Sequence, residues 1–147
     1  MSLALDDLDR RLIARLQANA RASTAELARH LGVARTTVVA RLARLEKGGA
    51  IVGYTVRLAA TEGEQGVQAF VNLAVSPKAA RAVIERLSML PELRQLAAVS
   101  GEFDYLAVLR APNTQRLDAL LDEIGEIDGV LRTTTSVLLA MRIDRVA

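Results

Sequence analysis

Apolar residues recur at helical spacing through the first third of the chain. Leu5, Leu8, Leu12, Ile13 and Leu16 form one stripe, and the acids Asp6, Asp7 and Asp9 suit the positive end of a helix dipole. Asn19, Ala20 and Arg21 interrupt the pattern. Ser23 and Glu26 then have the spacing of a capping box, and Leu27, Ala28 and Leu31 share the face of the helix it opens. Gly32 falls where a tight turn needs a residue tolerant of unusual φ. Val38, Leu42 and Leu45 lie at i, i+4 and i+7 on the next helix, so one stripe faces a core, and the small Ala28 permits a close crossing. The opposite face carries Arg35, Thr36, Arg44 and Lys47. Gly48 and Gly49 end this helix, and residues 50–58 alternate in strand fashion with β-branched and aromatic positions. Helix, tight turn, helix and a strand-like wing make up a winged helix-turn-helix, a unit that places its second helix in the major groove of DNA.

Periodicity is lost over residues 59–66, AATEGEQG, which read as a linker between a front domain, 1–58, and a rear domain, 67–147. Rearward the pattern predicts a strand over 67–75, a helix over 77–90, strands over 93–100 and 105–109, a helix over 114–127 and a strand region over 130–143. The order βαββαβ is that of a split βαβ, ferredoxin-like domain, and its inner hairpin turns at Gly101 to Phe103. The fold class expected is therefore α+β, a winged helix-turn-helix followed by a ferredoxin-like domain.

Charge divides the chain in the same place. Residues 1–58 hold ten Lys or Arg and five acids, a net +5, whereas residues 59–147 hold nine and twelve, a net −3. The total of +2 conceals a basic front that suits a polyanion and an acidic rear. Half the residues are apolar and only 3% aromatic, so the core is aliphatic, and domains this small gain from a partner chain that covers exposed surface. No apolar run reaches the length of a membrane span, and the acidic start, MSLALDDLDRR, lacks the basic end and apolar core of a secretory signal. A cytoplasmic protein is expected. Cysteine is absent, which removes disulfides and thiolate ligands, and no cofactor or metal site is expected.

On the second helix of the motif, Arg35, Thr36 and Thr37 stand at the end that reaches base edges, where arginine pairs with guanine and threonine offers a hydroxyl or a methyl. Val39, Ala40 and Ala43 give apolar contact only, so DNA shape is expected to share in specificity. Arg41 and Arg44 are assigned to phosphates, Arg41 with its stem along the core edge.

The segments LDDLDRRLIARLQANAR, ELARHLGV, RLARLEKGGAIVGY, AFVNLAV, VSGEFDY and TTTS stand in an order and at a spacing that resemble the leucine-responsive and asparagine-responsive regulators, the Lrp/AsnC or feast/famine family. The resemblance covers nearly the whole chain. It implies a transcription regulator whose winged helix-turn-helix binds double-stranded DNA, and whose rear domain dimerises and senses a small molecule, an amino acid. A dimer and an octamer built of dimers both stay open. One departure concerns the second helix: where the family commonly has a capping serine followed by prolines, this chain has Ala34, Arg35, Thr36 and Thr37. Alanine cannot cap, a loss of about 1 kcal/mol, which leaves Thr36 or Thr37 as hydroxyl source and a later helix start.

In VSGEFDY, Gly101 and Asp104 suit a turn, glycine for positive φ and aspartate for local hydrogen bonds. The resemblance implies in addition an effector pocket where this hairpin meets a neighbouring subunit. Asp104 suits the ammonium of an amino acid; the amides near Gly101 and the hydroxyls of Thr133, Thr134, Thr135 or Ser136 suit its carboxylate. Only alternate strand residues share a face, and Thr134 with Ser136 are placed ahead of Thr133 with Thr135.

Two other classes compete. Some haem-biosynthetic decarboxylases resemble the same family, yet the lone His30 lies on the helix before the DNA-binding turn, where a surface or packing role fits it, and no nucleophile, histidine and acid grouping can be assembled. No catalytic residue is therefore assigned, and an enzyme is not expected. A sensor without DNA binding is the other alternative, to be tested by heparin retention.

Overall fold

The computed structural model describes residues 2–58 and 66–145, which fall into two compact units. Residues 59–65, most of the expected linker, and residues 146–147 lie outside the described residues.

The front unit has three helices, α1 (Asp7–Ala18), α2 (Thr24–Leu31) and α3 (Arg35–Lys47). Each starts differently. Asp6 caps α1 reciprocally with Asp9: the Asp9 amide donates to the Asp6 carboxylate at 2.9 Å and the Asp6 amide to the Asp9 carboxylate at 3.1 Å. Ser23 and Glu26 form the expected capping box on α2. Gly32 closes α2 at φ 68°, a left-handed conformation that glycine adopts without a Cβ penalty, and its N–H donates to the carbonyls of Ala28 and Arg29. α3 begins at Arg35 with Ala34 as an N-cap that makes no side-chain hydrogen bond. The later start expected from Thr36 or Thr37 does not occur, because the extended backbone of Ala34 already directs its carbonyl to the amides of Thr37 and Val38. Packing holds the helix: Val38 and Leu45 are buried with Leu12, Leu16, Leu27, Ala28 and Leu31 in one aliphatic core.

The wing differs from expectation. Residues 51–58 form no strand. Ile51 packs on the core and donates its amide to the Leu45 carbonyl, but Val52, Val56 and Leu58 are at least 79% exposed. Alternation supplies the face of a strand, not its ladder, and no strand among the described residues runs alongside this segment.

The rear unit runs β1 (Val67–Val75), a 3₁₀ turn (Pro77–Ala79), α4 (Ala80–Ser88), β2 (Leu93–Ala98), β3 (Tyr105–Ala111), α5 (Thr114–Gly125) and β4 (Val130–Val137). The sheet order is β2-β3-β1-β4 with every pair antiparallel, the expected split βαβ arrangement. Both helices cover one face. Ala69, Val71, Leu73 and Val75 of β1 are buried there with Ala107, Leu109 and Ala111 of β3, against Val83 and Leu87 of α4 and Leu117, Leu120 and Ile124 of α5. The alternate residues Phe70, Asn72, Leu106 and Val108 point to the other face and are only half-buried. β4 stops at Val137, short of the expected 143, because its partner β1 begins at Val67: the last bond runs from the Leu138 amide to the Gln68 carbonyl.

Candidate nucleic-acid interface and effector surface

On α3, burial of Val38 and Leu45 turns Arg35, Thr36, Val39, Ala40, Ala43 and Lys47 outward as one exposed stripe, three to four residues apart. Arg35, Thr36 and Ala40 of the expected DNA-reading set lie on it; Thr37 is half-buried beside it. The stripe begins at the helix N-terminus, carries a cation at each end and is apolar between.

Arg41 and Arg44 lie on the flank of α3 and already have partners. Nη1 of Arg41 donates to Oδ2 of Asp6 and, at 3.1 Å, to Oδ1 of Asp9; Nη2 of Arg44 donates to Oδ2 of Asp9. Asp9 has no solvent exposure, yet both its carboxylate oxygens are met, by two guanidiniums and one backbone amide. The guanidinium of Arg41 also holds the Asp6 carboxyl down to about 2. This four-residue network is absent from the sequence expectation, which gave both arginines to phosphate. The signal for half of it was present in the D-x-x-D spacing of a reciprocal cap, but nothing local announces a pair 32 to 35 residues apart.

In the rear unit Gly101 and Asp104 stand together in the β2–β3 turn. Gly101 has φ 110°, which favours glycine. Asp104 extends the ladder past the end of β3: its amide donates to the Leu73 carbonyl at 2.9 Å, its carbonyl accepts from Val99 at 3.0 Å, and its Oδ2 accepts from the Val75 amide at 2.8 Å. The turn role is thus real, with one carboxylate oxygen committed to β1. Register places Thr134 opposite Asn72 and Ser136 opposite Phe70, on the helix-free face, and Thr133 and Thr135 opposite the buried Leu73 and Val71. β1 lies between β4 and the hairpin, so within one chain these hydroxyls stand two strand spacings, about 10 Å, from β3. What reaches the hairpin from β4 is Arg132, 3.0 Å from Glu102 and stacked over the Phe103 ring with 4.8 Å from Cζ to the centroid. Sequence reasoning missed this contact, since a separation of 30 residues leaves no local trace.

A helix-turn-helix with an outward second helix, followed by a split βαβ unit with one uncovered sheet face, defines a two-domain DNA-binding regulator. Comparison with known proteins gives the family. Residues 5–46 match the AsnC-type helix-turn-helix domain and residues 68–146 the Lrp/AsnC ligand binding domain. An uncharacterised helix-turn-helix transcriptional regulator of Pyrococcus abyssi is 34% identical over 93% of this chain and 94% of its own length. The structure of Escherichia coli AsnC superposes with a TM-score of 0.89 at 25% identity, covering 99% of both chains. A Neisseria meningitidis transcriptional regulator solved as a complex with L-Met has a TM-score of 0.86 at 24% identity over 96% of this chain and 94% of that one. The chain belongs to the Lrp/AsnC family, and it is a transcriptional regulator rather than an enzyme. Among the described residues no helix is long and apolar enough to cross a membrane.

Proposed function

We propose that the protein binds double-stranded DNA as a homodimer, in the cytoplasm, and that an amino acid held at the β2–β3 hairpin alters that binding. The observation that carries the DNA reading is the outward stripe of α3, with Arg35 and Thr36 at the end that enters a major groove and an apolar middle at Val39, Ala40 and Ala43. Arg35 is the residue for guanine, Thr36 and Thr37 supply hydroxyls or methyls, and Ala40 leaves room for close approach. In the full chain, Arg35→Ala should lose discrimination between operator and mixed-sequence duplex, measured by anisotropy at several salt concentrations. Equal affinity of the wild type for both, at every salt concentration, defeats specific regulation.

Dimerisation is supported by the uncovered sheet face, where Phe70, Leu106 and Val108 have no covering element of their own unit. A second copy set against that face also answers the 10 Å gap, since residues from two chains then complete one pocket. In it, Asp104 takes the ammonium through the carboxylate oxygen not given to Val75, and Gly101 amides with Thr134 and Ser136 hydroxyls take the carboxylate. The L-methionine in the Neisseria regulator supports an amino acid as the ligand class. Asp104→Asn keeps an oxygen for the Val75 amide while losing the charge, so it separates ligand recognition from hairpin integrity. Calorimetry with the twenty amino acids should find a ligand for wild type and at least tenfold weaker binding for Asp104→Asn, on the order of the 1–3 kcal/mol of a charge-assisted bond. A ligand bound equally by both places the pocket elsewhere.

A further inference from the structure

Asp6 and Asp9 hold the flank of α3 in different ways. Asp9 is sealed from solvent and grips both Arg41 and Arg44. Asp6 is 52% exposed at its side chain, and its contact with the 29% exposed Arg41 lies at the solvent edge. The two border an open notch of about 430 Å³ shared with Ala4, Arg44 and Ala40, and Ala40 belongs to the outward stripe. A phosphodiester and a carboxylate offer a guanidinium the same thing, a singly charged pair of oxygens able to accept charge-assisted hydrogen bonds. A backbone phosphate arriving beside α3 therefore meets Arg41 with its outer partner already in place.

We propose that Asp6 is a built-in competitor for DNA phosphate, occupying Arg41 in the free protein and yielding to the duplex backbone on binding, while Asp9 keeps the arginine in position. The proposal rests on the reading of α3 as the DNA helix. Exposed ion pairs are weak enough to exchange, and a buried, doubly gripped carboxylate is not, so the two acids divide into a releasable partner and a fixed one. Phosphate carries no sequence information, so the competitor weakens binding to operator and unrelated duplex alike and limits the time spent on unrelated DNA.

Asp6→Asn isolates the effect, because asparagine caps a helix as well as aspartate and leaves the amide bond to Asp9 intact. Asp7→Asn removes an equal charge one residue away and serves as control. Binding of full-length proteins to a mixed-sequence duplex is followed by anisotropy across a salt series, with Arg41→Gln and the double variant Asp6→Asn/Arg41→Gln alongside. Expected are about fivefold tighter binding for Asp6→Asn, a log–log salt slope close to that of the wild type, since Arg41 reaches the same phosphate in both complexes, little change for Asp7→Asn, and no gain in the Arg41→Gln background. A gain equal to that of Asp7→Asn, or one that persists without Arg41, shows only a general loss of negative charge and overturns the proposal. So does weaker binding by Asp6→Asn at an unchanged melting temperature. If the melting temperature falls, Asp6→Ser, which also caps, replaces it under the same criteria. A wild type that binds no duplex at low salt brings down the DNA reading and this proposal together, whereas duplex binding with indistinguishable Asp6→Asn and Asp7→Asn brings down the proposal alone.

Discussion

Asp9 sits at zero exposure between two guanidiniums, and its loss would leave Arg41 without its inner partner and Arg44 without any ion pair described. Removing one member of such a network is costly because the others keep their charge in a partly dry place; the arginines here retain 29% and 40% exposure, which moderates it. Asp9→Ala should destabilise the full chain by about 2–4 kcal/mol in urea unfolding. Asp6 gives the corresponding pH signature. Its ordinary value of 3.8 is lowered to about 2 in the folded chain, mainly by the hydrogen bond from Arg41. A lowered folded value means that the carboxylate stabilises the fold above pH 3.8 and that this contribution drains away as pH falls through 2. Carbon-detected NMR titration should place the Asp6 midpoint near 2, and Arg41→Gln should move it up towards 3.8. These charges were legible one by one, as helix-dipole acids and surface arginines. Their pairing was not, because it follows from how α1 and α3 cross.

Elements read from the sequence wherever the pattern is also the cause. β1 alternates because it packs against helices on one face only, and its predicted limits, 67–75, are the observed ones. α2 has both its cap and its glycine stop written in residues that make those bonds. Ends set by a partner were harder to read. β4 ends where β1 ceases to face it, residues 51–58 have the alternation of a strand and no ladder, and the helix expected over 77–90 gives its first three positions to a 3₁₀ turn opened by Pro77. The candidate pocket was legible to the extent that strand parity was: Thr134 and Ser136 share a face, but that β1 lies between them and the hairpin is a matter of topology. At the start of α3 the missing cap gives a direct check. Ala34 already has the extended backbone of an N-cap residue, so Ala34→Ser needs no rearrangement and should add about 0.5–1 kcal/mol to stability, read as a higher urea midpoint at unchanged slope. A lower midpoint would mean that something other than the hydroxyl sets the helix start.

Across the whole chain, a net +5 over residues 1–58 and −3 over residues 59–147 assign attraction for polyanions to one end of the sequence, as the split of matched families at residues 46 and 68 does for function. The rear sheet carries the larger consequence. Helices on one side only leave Phe70, Leu106 and Val108 half-covered, and a chain that completes its burial with a second copy has a stability that depends on its own concentration. Thermal unfolding of the full chain at concentrations a hundredfold apart should therefore shift the midpoint upward with concentration, by several degrees, as about 2.7 kcal/mol of mass action requires for a tightly paired state. An unchanged midpoint would indicate a self-sufficient monomer. On the proposed pairing, the same open face would act inside a cell as a quality threshold: solitary chains, opening more often, would fall to proteolysis while paired ones persist, so the standing amount of regulator should rise more steeply than the dose of its gene.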